Sequence, residues 1–195
     1  VSCGMSDMAE VFQALEAIGT FEGYPTILLL CTSEYPTPPE NVNLLKLETL
    51  KNSFPGLVVG FSDHTQGTMA SSLAVGFGAV MFEKHFTLDN DLEGPDHWFS
   101  ENPTGLVNWT AAIHNSFKMM GSRVIRPSKG EAENKKEFQR VVVAKKYIQL
   151  GDVFDMDNLT VSRVSGGKGF PPSFLNTILG LKSNKIYSKN AAITI

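Results

Sequence analysis

Leu57 to His97 reads LVVGFSDHTQGTMASSLAVGFGAVMFEKHFTLDNDLEGPDH, and the order of its parts decides the fold. Two short apolar runs each end in a polar cluster with a histidine: Ser62-Asp63-His64-Thr65 after the first, Glu83-Lys84-His85 after the second. Between them lies a small Ala- and Ser-rich segment of helical length. If the runs are adjacent parallel strands, roughly 4.8 Å apart, the two imidazoles emerge side by side at one sheet edge. A single histidine at a strand end is ordinarily a hydrogen-bonded structural residue. Its repetition about 20 residues later, in a strand-helix pattern whose carboxyl edge is where ligands bind, points instead to a metal or anion site.

Working outward, Val1 to Gly4 reads as the tail of a strand. Ser6 is a candidate N-cap for a helix whose Met8, Val11, Phe12, Leu15 and Ile18 follow the helical period, and Gly19 closes it. Thr26 to Cys31 is a continuous apolar strand of the type buried on both faces. The stiff loop Thr32-Ser33-Glu34-Tyr35-Pro36-Thr37-Pro38-Pro39 follows, then a helix from Val42 to Phe54 with Leu44, Leu45, Leu47 and Leu50 on its apolar face. Beyond His85 a long polar loop leads to a helix from Thr104 to Met120, with Leu106, Val107, Trp109, Ile113, Phe117 and Met120 expected on the buried side. Four strand-helix units in about 120 residues predict a parallel α/β architecture with right-handed crossovers. Periodicity alone does not separate an open sheet from part of a barrel.

From residue 121 to 137 the sequence alternates in charge without apolar period and reads as a linker. Residues 138–195 predict a small β-rich module, with strands at Arg140 to Ala144 and Leu159 to Val164 and turn signals in LGD and GGKGFPP. The chain opens as though in mid-strand and without Met, so an upstream part is expected.

Composition narrows the function. At 195 residues with 42% hydrophobic content the chain can bury a real core. A net charge of -3 carries no footprint for nucleic acid or anionic membrane. No apolar run approaches the roughly 20 residues of a membrane span, and VSCGMSD is no signal peptide. Cys3 and Cys31, both in strand-like stretches, read as free thiols of a reducing, cytoplasmic compartment and build no zinc framework.

Several residues bear chemistry. CTSEYPTP offers Ser33, Tyr35 and backbone amides at the sheet edge, suited to phosphate or sugar hydroxyls, although a proline-rich turn capping the next helix is the plainer reading. Ser62 could donate to an anion or cap the following helix. Lys84 alternates with His85 and should point the other way. Asp89 to His97 has four carboxylates in the wrong spacing for an EF-hand; it reads as a lid in which Gly94-Pro95 presents Asp96 to a polyhydroxylated ligand. Arg163 is a candidate anion or amide clamp, against the default of a solvated arginine. His114 falls on a polar helix face. A Ser/His/Asp set, paired glycosidase carboxylates and a Gly-rich dinucleotide fingerprint are absent.

In order, CTSEYPTP, GFSDHT, EKHFTLD, GPDH, RPS and the VVAKK to NLTVSR segment resemble the carboxyl-terminal part of the sialic acid (N-acetylneuraminate) synthase family, which includes legionaminic and pseudaminic acid synthases. The resemblance implies the second half of a (βα)8 TIM barrel over residues 1–120, and a small antifreeze-like (SAF) domain over 138–195. It implies condensation of phosphoenolpyruvate with an N-acetylated aldose such as N-acetylmannosamine, giving a nonulosonic acid and phosphate. It further implies a divalent ion, Mn²⁺ or Mg²⁺, on His64 and His85; phosphate contacts from Ser33 and Ser62; sugar contacts from Tyr35 and Asp96; and Arg163 reaching the active site of the other protomer in a domain-swapped homodimer. Two departures stand out. The strands that supply lysines and glutamates in the family are not in this sequence, so the chain alone is expected to be incomplete as an enzyme. The usual R-P-G is here Arg163-Val164-Ser165. The alternatives are a phosphoenolpyruvate-condensing synthase acting on a sugar phosphate, and a non-catalytic carbohydrate-binding or assembly protein that keeps the SAF module.

Overall fold

The computed structural model describes residues 1–164, 166 and 168–194. The chain divides into two compact units, Val1–Ser122 and Arg123–Ile195.

The first unit is built on a parallel sheet of β1 (Ile27–Cys31), β2 (Val58–Asp63) and β3 (Met81–Lys84), in that order. Ser2 extends it by a single parallel bridge to Leu29, all that forms of the expected first strand. Consecutive strands are neighbours throughout, with no reversal of order. Alternation sets the faces: Leu28 and Leu30 of β1, and Val59 and Phe61 of β2, join one core with Val11, Leu15, Leu47, Leu50 and Ala74 from the helices. Those helices are α1 (Met8–Ala17), α2 (Pro39–Val42), α3 (Lys46–Ser53) and α4 (Met69–Gly76). The opposite face carries Leu29, Gly60, Ser62 and Glu83. A side chain at Gly60 would bring its Cβ to 2.4 Å from Leu29 Cδ2 and 2.5 Å from the Met81 carbonyl oxygen, so close strand approach requires glycine there. Among the described residues no helix is long and apolar enough to cross a membrane.

Local chemistry moves several predicted boundaries. Asp7, not Ser6, caps α1: its carboxylate accepts from Glu10 N–H while Glu10 accepts from Asp7 N–H, each at 2.9 Å. The helix expected from Val42 to Phe54 is broken at Asn43, which adopts φ 51, and Leu45 beside the break is 67% exposed rather than on an apolar face. Helix α5 (Pro103–Met120) buries Trp109 and Ile113, whereas Val107, Phe117 and Met120 remain substantially exposed. Only Val11 and Leu15 of the α1 stripe are buried; Met8, Phe12 and Ile18 are not.

The second unit begins with α6 (Lys129–Phe138), so the segment read as a linker is helical over much of its length. Periodic apolar residues are lacking, but a Ser128/Glu131 capping box satisfies its first turn. Strands β4 (Arg140–Ala144) and β5 (Leu159–Arg163) pair antiparallel. Val142, Ile148, Leu159, Tyr187 and Ile193 form the core of this unit, and α7 (Leu175–Ile178) contributes Ile178.

Candidate functional site

Strand alternation delivers four side chains to one face at the carboxyl edge: Ser62 near the end of β2 and His64 just beyond it, Glu83 near the end of β3 and His85 just beyond it. Asp63 and Lys84, in register with each other, go to the opposite face. The two imidazoles meet edge to face, with ring centroids 5.1 Å apart at 87°.

His64 is held by its first ring nitrogen. Nδ1 lies 2.8 Å from the Thr32 carbonyl oxygen, so Nδ1–H donates there and Nε2 carries the lone pair in the neutral ring. Nε2 lies 3.3 Å from Ser62 Oγ, and that hydroxyl donates to Glu83 Oε1 at 2.7 Å. The nearby Cys31 sulfur, 4.0 Å from Nδ1, raises the His64 pKa above the ordinary histidine value; burial opposes the rise and the Thr32 carbonyl adds to it. Burial lowers the His85 pKa, helped by the neighbouring His64 and opposed by Asp96 and Glu83.

Two loops complete the cluster. The loop after β1 is tied down by Thr37, whose N–H donates to the His64 carbonyl (2.8 Å) and whose hydroxyl donates to Glu34 O (2.8 Å). This sets the Tyr35 ring against both imidazoles, with centroids 4.4 Å from His64 and 5.5 Å from His85. The long loop after β3 returns through paired bonds, Glu101 N–H to His85 O and Thr87 N–H to Glu101 O, each 2.9 Å. Asn90 Nδ2 donates to the carbonyls of His97 and Ser100 (2.8 Å each), and Ser100 Oγ to Asp96 O (2.6 Å). So braced, Asp96 brings Oδ2 to 3.9 Å from His85 Nδ1, and Phe99 packs 5.1 Å from the His85 ring.

Thus His64, His85, Ser62, Tyr35 and Asp96 come together. Ser33 faces Gly4, where a Cβ would approach its Oγ to 2.4 Å, and lines an adjacent hollow of about 560 Å³ with Cys3, Ser6 and Lys46. Arg163 ends β5 in the second unit, exposed, in register with Arg140; Ser165 and Gly167 lie outside the described residues. The sequence reading missed the second side of the cluster. Glu83 and the Thr32 carbonyl both contact site residues, and the spacing Glu83-x-His85, matching Ser62-x-His64, was the available signal for the glutamate.

The donor set suits a divalent cation. One imidazole has its tautomer fixed by a backbone carbonyl, the usual outer support of a histidine ligand, and the other has the Asp96 carboxylate 3.9 Å away. No group of three or more His, Cys, Asp or Glu arranged to hold a metal ion occurs among the described residues. An ion held between the two imidazoles would take its other ligands from water or substrate oxygens, as in open catalytic sites.

The NeuB family model matches residues 1–125. The N,N'-diacetyllegionaminic acid synthase of Campylobacter jejuni is 40% identical over 169 residues, covering 86% of this chain and 50% of that protein. The human N-acetylneuraminate-9-phosphate synthase is 33% identical over 183 residues, covering 93% of this chain and 50% of that protein. The crystal structure of an N-acetylneuraminic acid synthetase from Leptospira borgpetersenii, solved with citrate, superposes with a TM-score of 0.61 at 33% identity, covering 68% of this chain and 46% of that one. The chain spans about half the length of the curated relatives it matches. With a match over most of its length, carried by the unit that holds both histidines, this chain belongs to the NeuB family.

Proposed function

We propose that this chain supplies the latter part of a synthase that condenses phosphoenolpyruvate with an N-acetylated hexosamine, giving a nonulosonic acid and phosphate. The observation that carries the reading is the edge-to-face histidine pair with His64 Nε2 freed for a ligand. The names of the relatives support the reaction class. The parallel order β1-β2-β3, extended by Ser2 to four consecutive segments, runs one segment beyond the three-strand half of the usual doubly wound sheet and supports the second half of a (βα)8 barrel over 1–120. The antiparallel tail, 138–195, is read as the SAF domain.

In this reading His64 and His85 would hold Mn²⁺ or Mg²⁺, which when bound would supply a Lewis acid for the sugar aldehyde. The enol carbon of phosphoenolpyruvate forms the new bond to the aldehyde carbon. Water adds to the resulting cation at C2, and phosphate leaves with cleavage of its C–O bond. Ser62, on turning its hydroxyl proton away from Glu83, donates to the phosphate, Ser33 reaches it from the adjacent hollow, and Tyr35 and Asp96 bind the sugar. Arg163 of one protomer reaches the site of the other in a domain-swapped homodimer. Arg140 lies opposite Arg163 across the ladder, an unfavourable pairing of like charges that a bridging anion would relieve. Free Cys3 and Cys31 support a cytoplasmic setting.

A phosphorylated acceptor is the second reading, favoured by the name of the human relative. Against it, residues 86–101 contain Asp89, Asp91, Glu93, Asp96 and Glu101 and no lysine or arginine. The test is phosphate release from phosphoenolpyruvate by the full-length protein, with Mn²⁺ and a panel of free and phosphorylated N-acetylhexosamines. Release that requires a free N-acetylated sugar supports the proposal; release with none of them refutes it.

A further inference from the structure

Asp63 and Lys84 stand one residue before the two histidines, directly opposite each other in the β2–β3 register, and project from the face away from the site. Both are buried, with side-chain exposures of 0% and 3%, and Lys84 Nζ lies 3.4 Å from Asp63 Oδ1. Each remaining oxygen position of the aspartate is taken. Oδ1 accepts from Thr65 N–H and Thr65 Oγ1–H, both at 2.8 Å. Oδ2 accepts from Ser71 Oγ–H at 2.5 Å and Trp109 Nε1–H at 3.4 Å. Lys84 also donates to the Thr65 carbonyl, so residues 63 and 65 are both pinned, and His64 lies between them. His85 follows Lys84 with its carbonyl held by Glu101 N–H.

A buried ion pair is weak evidence of stability, because desolvation of the two charges consumes most of their attraction. In some proteins such a pair instead fixes a single arrangement of the groups around it. We infer that Asp63 and Lys84 are positioning residues: their ion pair locks the carboxyl ends of β2 and β3 in register and so fixes the separation and orientation of the His64 and His85 rings. The role rests on the proposed metal reading for its functional use but not for its geometry. Both side chains face away from the histidine pair, so each acts through the backbone of its neighbouring histidine.

The test compares Mn²⁺ affinity, thermal midpoint and imidazole ¹⁵N resonances of the wild type with those of D63N/K84M, which removes both charges and keeps the volumes. The Mn²⁺ dissociation constant should rise 10- to 100-fold, the range for outer partners of metal-ligating histidines, and the His64 and His85 ring resonances should shift. Val59→Ala, a cavity on the same face of β2 remote from the pair, should lower the thermal midpoint with no change in Mn²⁺ affinity. Unchanged Mn²⁺ affinity in D63N/K84M overturns the inference. If that variant does not fold, Lys84→Gln, which keeps a donor toward Thr65, decides: at least a tenfold rise is expected, and wild-type affinity overturns the role. A wild type that binds no Mn²⁺ defeats the metal reading instead. The resonances then decide the positioning role, and rings unshifted in the folded variant refute it.

Discussion

Gly60→Ala is the substitution whose consequence the structure specifies most fully. The new methyl would lie 2.4 Å from Leu29 Cδ2, 2.5 Å from Met81 O and 3.1 Å from Met81 Cβ. The leucine end can rotate away; the backbone carbonyl cannot. A carbon-to-oxygen approach of about 3.3 Å is the practical limit, so β3 must retreat by about 0.8 Å. Overpacking of this kind costs about 1–3 kcal/mol, and a contact with backbone belongs at the upper end. The retreat has a functional consequence because Met81 lies four residues before His85, as Gly60 lies four before His64. Metal sites tolerate displacements of about 0.2 Å, so Mn²⁺ affinity should fall at least tenfold along with stability. The assay is thermal denaturation with titration of free Mn²⁺ by its paramagnetic resonance signal. Gly76→Ala, whose Cβ meets nothing within 4 Å, is the control and should be neutral or slightly stabilising. A Gly60→Ala protein with wild-type melting and wild-type affinity would refute the argument.

Other expectations follow from single contacts. An imidazole must be neutral to bind metal, and the His64 pKa is raised, so Mn²⁺ affinity should weaken as pH falls, beginning above the ordinary histidine value; an inflection below it contradicts the Cys31 and Thr32 contacts. Trp109→Phe removes the donor to Ser71 Oγ (2.9 Å) and Asp63 Oδ2 and should cost about 1–3 kcal/mol in denaturant unfolding. Backbone and side-chain bonds from Ser128 lower the Glu131 pKa. The contribution of Glu131 to α6 is therefore full above the ordinary carboxylate pKa and is lost as pH falls through the lowered one, read as amide exchange at the helix start. Under the proposed dimer, Arg163→Ala should raise KM for the sugar and leave that for phosphoenolpyruvate unchanged; equal increases would contradict the clamp.

Where burial of a whole strand dictated the pattern, the sequence was readable. The strands around Leu28 to Leu30 and Val59 to Phe61 could be written down from their apolar runs, and alternation correctly sent Lys84 away from His85. Legibility failed where hydrogen bonds override periodicity. Asn43 breaks a stretch whose leucines read as one helix, and a capping box makes a helix of 129–138 with no apolar stripe. The histidine pair was visible as a repeated motif, but its support was not. The Thr32 carbonyl and the Asp63–Lys84 pair join residues far apart in sequence, and the Asn90 brace lies inside an irregular loop with no periodicity to read.

The most direct test of the central claim is the stoichiometry of Mn²⁺ bound by the protein and by its His64→Ala and His85→Ala variants. One ion per chain in the wild type, and loss of that ion in each variant with the fold intact by circular dichroism, is the predicted result. Retention of the same tightly bound ion by both variants would contradict the assignment.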